Sequence, residues 1–207
     1  MADTKTTDLT ADTAVLPADV FPMVDSSGPT LKKVSAGTLH VPVTNYSTAQ
    51  QGAGFSSDTY LTGSNIAFPA APSVGTLYEA YFDVTKTAAG TATPVIVLRM
   101  GTAGTTADAA ICTFTFGAGT AAADVAQVRV IASFRSVGSG TSAVVAGIAA
   151  ATTNLTTTGW SNAKKTVVVV SSGFNSTTAG LTVGLSYNGG ASASHTVQLV
   201  RSKLTLH

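Results

Sequence analysis

From residue 58 onward the chain is a series of short apolar runs, each broken by Gly, Ser, Thr or Asn before it reaches helical length. The runs are YLTGSNIAF (60–68), TLYEAYFDV (76–84), PVIVLRM (94–100), AAICTFTF (109–116) and VAQVRVIASFRSV (125–137), followed by SAVVAGIAA (142–150), TVVVVSSGF (166–174), LTVGLSY (181–187) and HTVQLVRSKLTL (195–206). Apolar and polar residues alternate at period two in CTFTF, QVRVIASF and TVQLVRSKL, which turns one face of each run toward a core. The runs are rich in Val, Thr, Phe and Tyr, residues that fit a pleated surface. The Ala-rich AGTAAADVAQ has helical propensity, but its Gly and Thr and the short spacing make it a connection between strands. Nine such runs with no long amphipathic helix predict an all-β fold. Their number suits a jelly-roll-like β-sandwich of about eight or nine strands.

The first 57 residues read differently. Residues 1–13 are polar and rich in Thr and Asp, the pattern of an arm. VFPMV (20–24) and LKKV (31–34) flank DSSGPT, whose Gly-Pro pair marks a turn, so a small hairpin is expected. An isolated two-stranded hairpin is marginal in water and must pack on something else. Residues 1–39 are therefore expected to be an N-terminal arm and attachment hairpin. Val20, Phe21, Met23, Val24, Leu31 and Val34 are the candidate attachment residues. HVPVTNYSTAQQGAGFSS (40–57) reads as a linker, and 58–207 as the β-sandwich domain.

Composition narrows the functional classes. Ala, Gly, Ser and Thr make up just over half of the 207 residues, and charged residues only 10%, against about 25% in an ordinary globular domain. The formal net charge is +1, which supplies no field to attract nucleic acid or an acidic membrane. Small uncharged side chains lose little entropy on contact and do not repel identical neighbours, which favours an oligomer. Cys112, the single cysteine, makes no intramolecular disulfide. No signal-peptide pattern opens the chain, and no stretch approaches the roughly 20 apolar residues that cross a bilayer. A soluble protein assembled in a cytoplasm is expected.

Few groups are available for chemistry. His40, His195 and His207 are scattered and lack metal-ligand spacing. Glu79 is the only glutamate, so a Glu–Glu glycosidase pair is excluded. Asp108 or Asp124 could bind calcium only with loop carbonyls, without a D-x-D-x-D series behind them. GTAGTTADAA lacks the G-K-[ST] of a phosphate loop, and no G-x-S-x-G elbow occurs. Trp160, in a loop, is expected to cap a core edge or an interface. Sugar stacking by Trp160, with Tyr187 and Asn188 beside it, is the lesser reading. Arg99, Arg129, Arg135 and Arg201 fall within strands, which suggests cross-strand or inter-subunit pairing. No catalytic residue, cofactor or metal ligand is nominated, and the protein is expected not to be an enzyme.

Several blocks carry a resemblance. YLTGSNIAFP (60–69), TLYEAYFDVTKTAAGTATPVIVLRMGTAGTTADAA (76–110), FRSVGSGTSAVVAG (134–147) and TVGLSYNGGASASHTVQLVRSKL (182–204) resemble structural proteins of tailed bacteriophages. Such proteins are tail-fibre, head-fibre or decoration components, and the module is similar to a trimer-forming β-sandwich. LPADVFPMVDSSGPTLKKVSAGTL (16–39) is similar to a short attachment element at the N-terminus of phage fibres and spikes. The resemblance implies a homotrimer on the outer surface of a virion, in contact with the major capsid protein or tail proteins. A host-surface glycan is a further partner it allows; nucleic acid and membrane insertion are not implied. The chain shows no long repetitive shaft, which favours a head-surface decoration or head fibre over a tail fibre. A tail component or a carbohydrate-binding, host-receptor module is the alternative, and no reaction is implied.

Overall fold

The computed structural model describes residues 20–24, 31–35, 42–190 and 194–207, in two compact units, Met1–Val41 and Pro42–His207. In the first unit β1 (Val20–Val24) and β2 (Leu31–Ser35) form the expected antiparallel hairpin. Phe21 stands opposite Val34 and Val24 opposite Leu31. All six attachment candidates lie on these strands, and their side chains fall outside the described residues, as do 1–19.

The second unit holds twelve strands. They are β3 (Val43–Ser47), β4 (Gln51–Gly54), β5 (Thr59–Tyr60), β6 (Ile66–Ala67), β7 (Leu77–Lys86), β8 (Val95–Gly101), β9 (Ala109–Thr115), β10 (Asp124–Ser136), β11 (Val144–Thr153), β12 (Thr166–Val170), β13 (Thr182–Asn188) and β14 (His195–Thr205). One sheet runs β12-β11-β10-β7-β14-β3, with β4 also on β14; the other runs β5-β13-β8-β9, with β6 also on β13. Every pairing is antiparallel. Counting β3 with β4 and β5 with β6 as single broken strands and setting β11 and β12 aside, the neighbours are first with last (β3/β4·β14), second with seventh (β5/β6·β13), third with sixth (β7·β10) and fourth with fifth (β8·β9). That nesting is a long ribbon wrapped over itself, which is a jelly roll. The β11–β12 hairpin extends one sheet beyond it.

Alternation fills the space between the sheets. Tyr78, Phe82 and Val84 of β7, Val128, Val130 and Phe134 of β10, and Val197, Val200 and Leu204 of β14 point inward. They meet Ile96 and Leu98 of β8, Cys112 and Phe114 of β9, and Val183, Leu185 and Tyr187 of β13 in one cluster. Gly147 on β11 leaves room for the Phe114 ring, since a Cβ there would lie 2.8 Å from it. All nine sequence runs are strands. YLTGSNIAF alone is split in two, at a turn where Gly63 adopts φ +88° and a Cβ would lie 2.5 Å from the Ser47 nitrogen.

The linker expected over 40–57 is corrected. The segment supplies β3 and β4, both hydrogen-bonded to β14. Its inward positions are Val43, Asn45 and Ser47, so only one is apolar and no hydrophobic period marks the strand. Hydrogen bonds hold it instead: Asn45 Nδ2 donates to the Asn65 carbonyl at 2.7 Å, and Gln51 Nε2 donates to the Thr62 carbonyl at 2.8 Å. A chain starting at Pro42 should therefore fold cooperatively. A chain starting at Asp58, which leaves one edge of β14 bare, should melt roughly 10 °C or more lower. Circular-dichroism melts of the two truncations check this.

Candidate functional site

The loop tryptophan and its expected neighbour meet, but in the core. Trp160 and Tyr187 have no solvent exposure, so a sugar has no access to either ring. Trp160 Nε1 donates to Tyr187 Oη at 2.8 Å, and Tyr187 Oη lies 2.6 Å from His195 Nδ1. An indole N–H only donates. The phenol oxygen accepts from Trp160, and its own O–H is free to donate to Nδ1 of a neutral His195. Burial, assisted by the Lys86 charge, lowers the His195 pKa to about 4. Lys86 is itself buried and donates to the carbonyls of Thr120 and Ala122 at 2.6 and 2.7 Å. Asn188 is half-buried, and its Oδ1 accepts from Gly190 N–H. Of the three lesser sugar candidates, two thus belong to the core and the third is bound to its own turn.

The acidic candidates are also committed. Asp108 accepts from the N–H groups of Ala103 and Gly104 at 3.0 and 2.8 Å. Asp124 accepts from Val125, Leu155 and Trp160 N–H at 2.9, 3.1 and 2.9 Å. Both are loop ties, with every carboxylate oxygen accepting from at least one backbone N–H. Among the described residues no group of three His, Cys, Asp or Glu side chains lies close enough to hold a metal. Arg99 ties β8 to its surroundings, donating to Ser186 Oγ at 2.8 Å, to the Thr106 and Asp108 carbonyls, and to Asp58. Burial pushes the Cys112 thiol up to about 11, which keeps it protonated and unreactive.

The unusual surface is the outer face of the seven-stranded sheet. Among the described residues eight large apolar side chains are exposed, and seven of them stand on strands of this sheet: Tyr46, Tyr81, Val125, Ile148, Val168, Val170 and Leu199. Register aligns them in rows. Tyr46 stands opposite Arg201, Arg201 opposite Tyr81, and Tyr81 opposite Arg129. The next row is Lys203, Glu79, Ile131, Ile148 and Val168. Glu79 pairs with Arg129 and Lys203, each at 3.3 Å, and the Arg129 guanidinium lies 5.3 Å from the centre of the Tyr81 ring. Arg99 and Arg129 thus make the cross-strand pairs expected of strand arginines.

A bulge shapes the β3 side of this face. Between Gln198 and Arg201 the register of β14 against β7 shifts, and Leu199 adopts φ +53°, a left-handed conformation rare for a non-glycine residue. Inward positions are His195 and Val197 before the bulge and Val200, Ser202 and Leu204 after it. Were the same sequence to run on without a bulge, Leu199, Arg201 and Lys203 would face the core. Beside the bulge lies a groove of about 320 Å³ lined by Thr44, Tyr46, Thr48, Glu79, Tyr81, Leu199, Arg201 and Lys203. The adjacent apolar pair Leu199–Val200, which breaks the alternation of TVQLVRSKL, is the sequence signal that marks this place.

No family model matches the chain, and no curated protein matches it. Among solved structures it is similar to the lectin UEA-II in complex with galactose, at 10% identity and a TM-score of 0.36, over 80% of this chain and 93% of that one. It is also similar to lectin II from Ulex europaeus, at 11% identity and a TM-score of 0.34, over 80% and 93% of the two chains. A third likeness is to the infectious bursal disease virus VP2 subviral particle, at 12% identity and a TM-score of 0.18, over 92% of this chain and 47% of that one. The sandwich assignment rests on this chain's own strand pairing. The likeness to tailed-phage structural proteins rests on the sequence blocks alone.

Two predictions come from the bulge and the buried histidine. Deleting Leu199 removes the extra residue and leaves His195, Val197, Val200, Ser202 and Leu204 in strict alternation, so the shortened chain should still melt cooperatively, with Arg201 and Lys203 facing water. Leu199→Gly should stay within about 1 kcal/mol of the parent, relieved backbone strain offsetting lost packing. Both are read by urea titration. His195 is depressed from 6.5 to about 4 in the folded chain, so the unfolded chain binds its proton first. Its contribution is full above pH 6.5 and is lost as pH falls toward 4. Tm should drop by roughly 5 °C between pH 7 and pH 4.5, and His195→Gln should reduce that drop.

Proposed function

We propose that the protein is a non-enzymatic structural component of a tailed-phage virion. In this reading it is a homotrimeric capsid decoration or head-fibre protein on the outer surface, assembled in the host cytoplasm. The observation that carries the reading is the outer face of the seven-stranded sheet. Exposed apolar groups concentrate there in a chain otherwise poor in both charge and large exposed side chains. Large apolar side chains concentrated on one face in this way favour association.

The β12 edge supports association with further copies of the chain. β12 pairs with β11 alone among the described strands. The bonds Ala151 N–H to the Lys165 carbonyl and Ser171 N–H to the Val145 carbonyl show that odd-numbered residues face β11. The backbone groups of Thr166, Val168 and Val170 therefore point to the open edge. Their side chains are exposed on the outer face, Val168 at 69% and Val170 at 52%. Soluble proteins usually protect such an edge with Lys, Pro or a bulge, and TVVVV has none. An identical neighbour would cover it without like-charge repulsion.

The block resemblance supports the virion assignment and the anchoring role of residues 1–39. Val20, Phe21, Met23, Val24, Leu31 and Val34 would supply the contact with the major capsid protein or tail proteins. Burying one such side chain contributes about 1.5–3 kcal/mol, so three copies on a trimer hold far better than one. A tail position fits the same blocks.

Light scattering on the purified chain should give a trimer mass that persists at high salt, because few charges are involved. Val168→Lys with Val170→Lys should shift it to monomers without changing the circular-dichroism spectrum. A monomeric parent chain, or a trimer indifferent to both substitutions, would count against this surface as the interface. Immunogold labelling of particles tests the virion assignment separately.

A further inference from the structure

The groove at the β14 bulge has the make-up of a ligand site distinct from the β12 edge. We propose that it binds an acidic saccharide, a sugar chain bearing ring carboxylates, with Arg201 as the carboxylate receptor and Tyr46 as the stacking platform. The inference goes beyond the structural role and stands or falls without it.

Arg201 carries the argument. Its neighbours in register are two tyrosines, Tyr46 and Tyr81. Glu79, the carboxylate lining the groove, is taken by Arg129 and Lys203. Among the described residues the Arg201 guanidinium has neither an ion pair nor a hydrogen bond, although it stands on a rigid central strand. A guanidinium presents a planar fork that matches a carboxylate. Tyr81 has one face occupied by Arg129, whereas Tyr46 is 73% exposed and has no ring partner among the described residues. Thr44 and Thr48 flank Tyr46 on the same outward face of the β3 segment, with hydroxyls able to donate and accept. Apolar walls, one open aromatic ring, free hydroxyls and a single uncommitted cation are what a carboxylated sugar ring can use. The groove volume is at the lower end of the range for small-ligand sites.

Other anions fit less well. An acidic peptide binding as an added strand would run along the backbone edge of β3, whereas the groove opens over the face of β3, β14 and β7. Single-stranded nucleic acid needs a track of cations along successive phosphates, and only Arg201 is uncommitted here. The bulge explains why the site lies where it does, because the register shift brings Arg201 out between the tyrosines.

The test is calorimetry on the full chain at low salt. The probes are galacturonate trimers, hyaluronan tetramers and sialyllactose, with neutral galactose oligomers, a hexa-aspartate peptide and oligothymidylate as comparisons. At least one carboxylated sugar should bind. Arg201→Gln and Tyr46→Ala should each weaken it about tenfold or more, while Arg135→Gln, on β10 away from the groove, should leave it unchanged. The variants alter exposed side chains, and their melts should match the parent. The proposal is overturned if no carboxylated sugar binds or if neutral oligomers bind equally well. It also fails if Arg201→Gln has no effect, or if the peptide or oligothymidylate binds more tightly through Arg201. Particle labelling and oligomer mass are independent of all these outcomes.

Discussion

One residue in a left-handed conformation sets the character of a whole face of this protein. β14 is buried on its inner side and paired on both edges, so each of its residues must be sorted inward or outward by strict alternation. Its sequence, HTVQLVRSKLT, cannot satisfy one unbroken alternation. The inward series starting at His195 and Val197 would continue through Leu199, Arg201 and Lys203. The extra residue at Leu199 resets the count, so that Val200, Ser202 and Leu204 continue the core while both cations face water. Strain on the order of 1–2 kcal/mol at one backbone position replaces the far larger cost of two buried charges. The same reset opens the groove.

β14 also closes the fold. It joins β7, more than a hundred residues earlier in the chain, to β3 and β4, which are earlier still. The jelly roll is complete only when this last strand finds its slot between them. Most of its stabilising contacts are therefore long-range, which predicts slow folding relative to a helical domain of this size. Until β14 docks, the edges of β7 and β3 stand open. Low charge makes that stage prone to association, and the uncharged TVVVV edge of β12 adds to the hazard. A chain that retains these features is better suited to a life among copies of itself than to free solution.

The strands that bury large side chains were legible in the sequence. All nine apolar runs became strands, because Val, Phe and Tyr at period two leave no comparable alternative. β3 and β4 were hidden because only Val43 among the inward positions of β3 is apolar and the segment is held by hydrogen bonds from Asn45 and Gln51, which hydropathy does not register. Trp160 and Tyr187 flank glycine-rich loops, and position alone does not say whether such a ring turns in or out. Their shared hydrogen bond joins a loop residue to β13, and the stacking of Tyr187 with His195 at 5.9 Å joins β13 to β14 in the opposite sheet, contacts across the sandwich that single runs do not show. The outer-face rows were invisible for another reason. A row is a property of register across five or six strands, and register was not available from the runs taken singly.

The two faces of the long sheet divide the work. Polar groups within the sandwich are tied to one another: Trp160 to Tyr187 to His195, Lys86 to three carbonyls, Asp124 to three N–H groups. Breaking any of these leaves a buried group unpaired, so the interior tolerates little change. On the outer face, Thr44, Tyr46, Arg201, Val168 and Val170 hold nothing in place, and substitutions there leave the core contacts intact. A jelly roll built this way can change its partner or ligand by changing alternate residues on one sheet. Leu199 is the point where the two faces are coupled, since its backbone conformation decides which residues of β14 belong to the core and which to the surface.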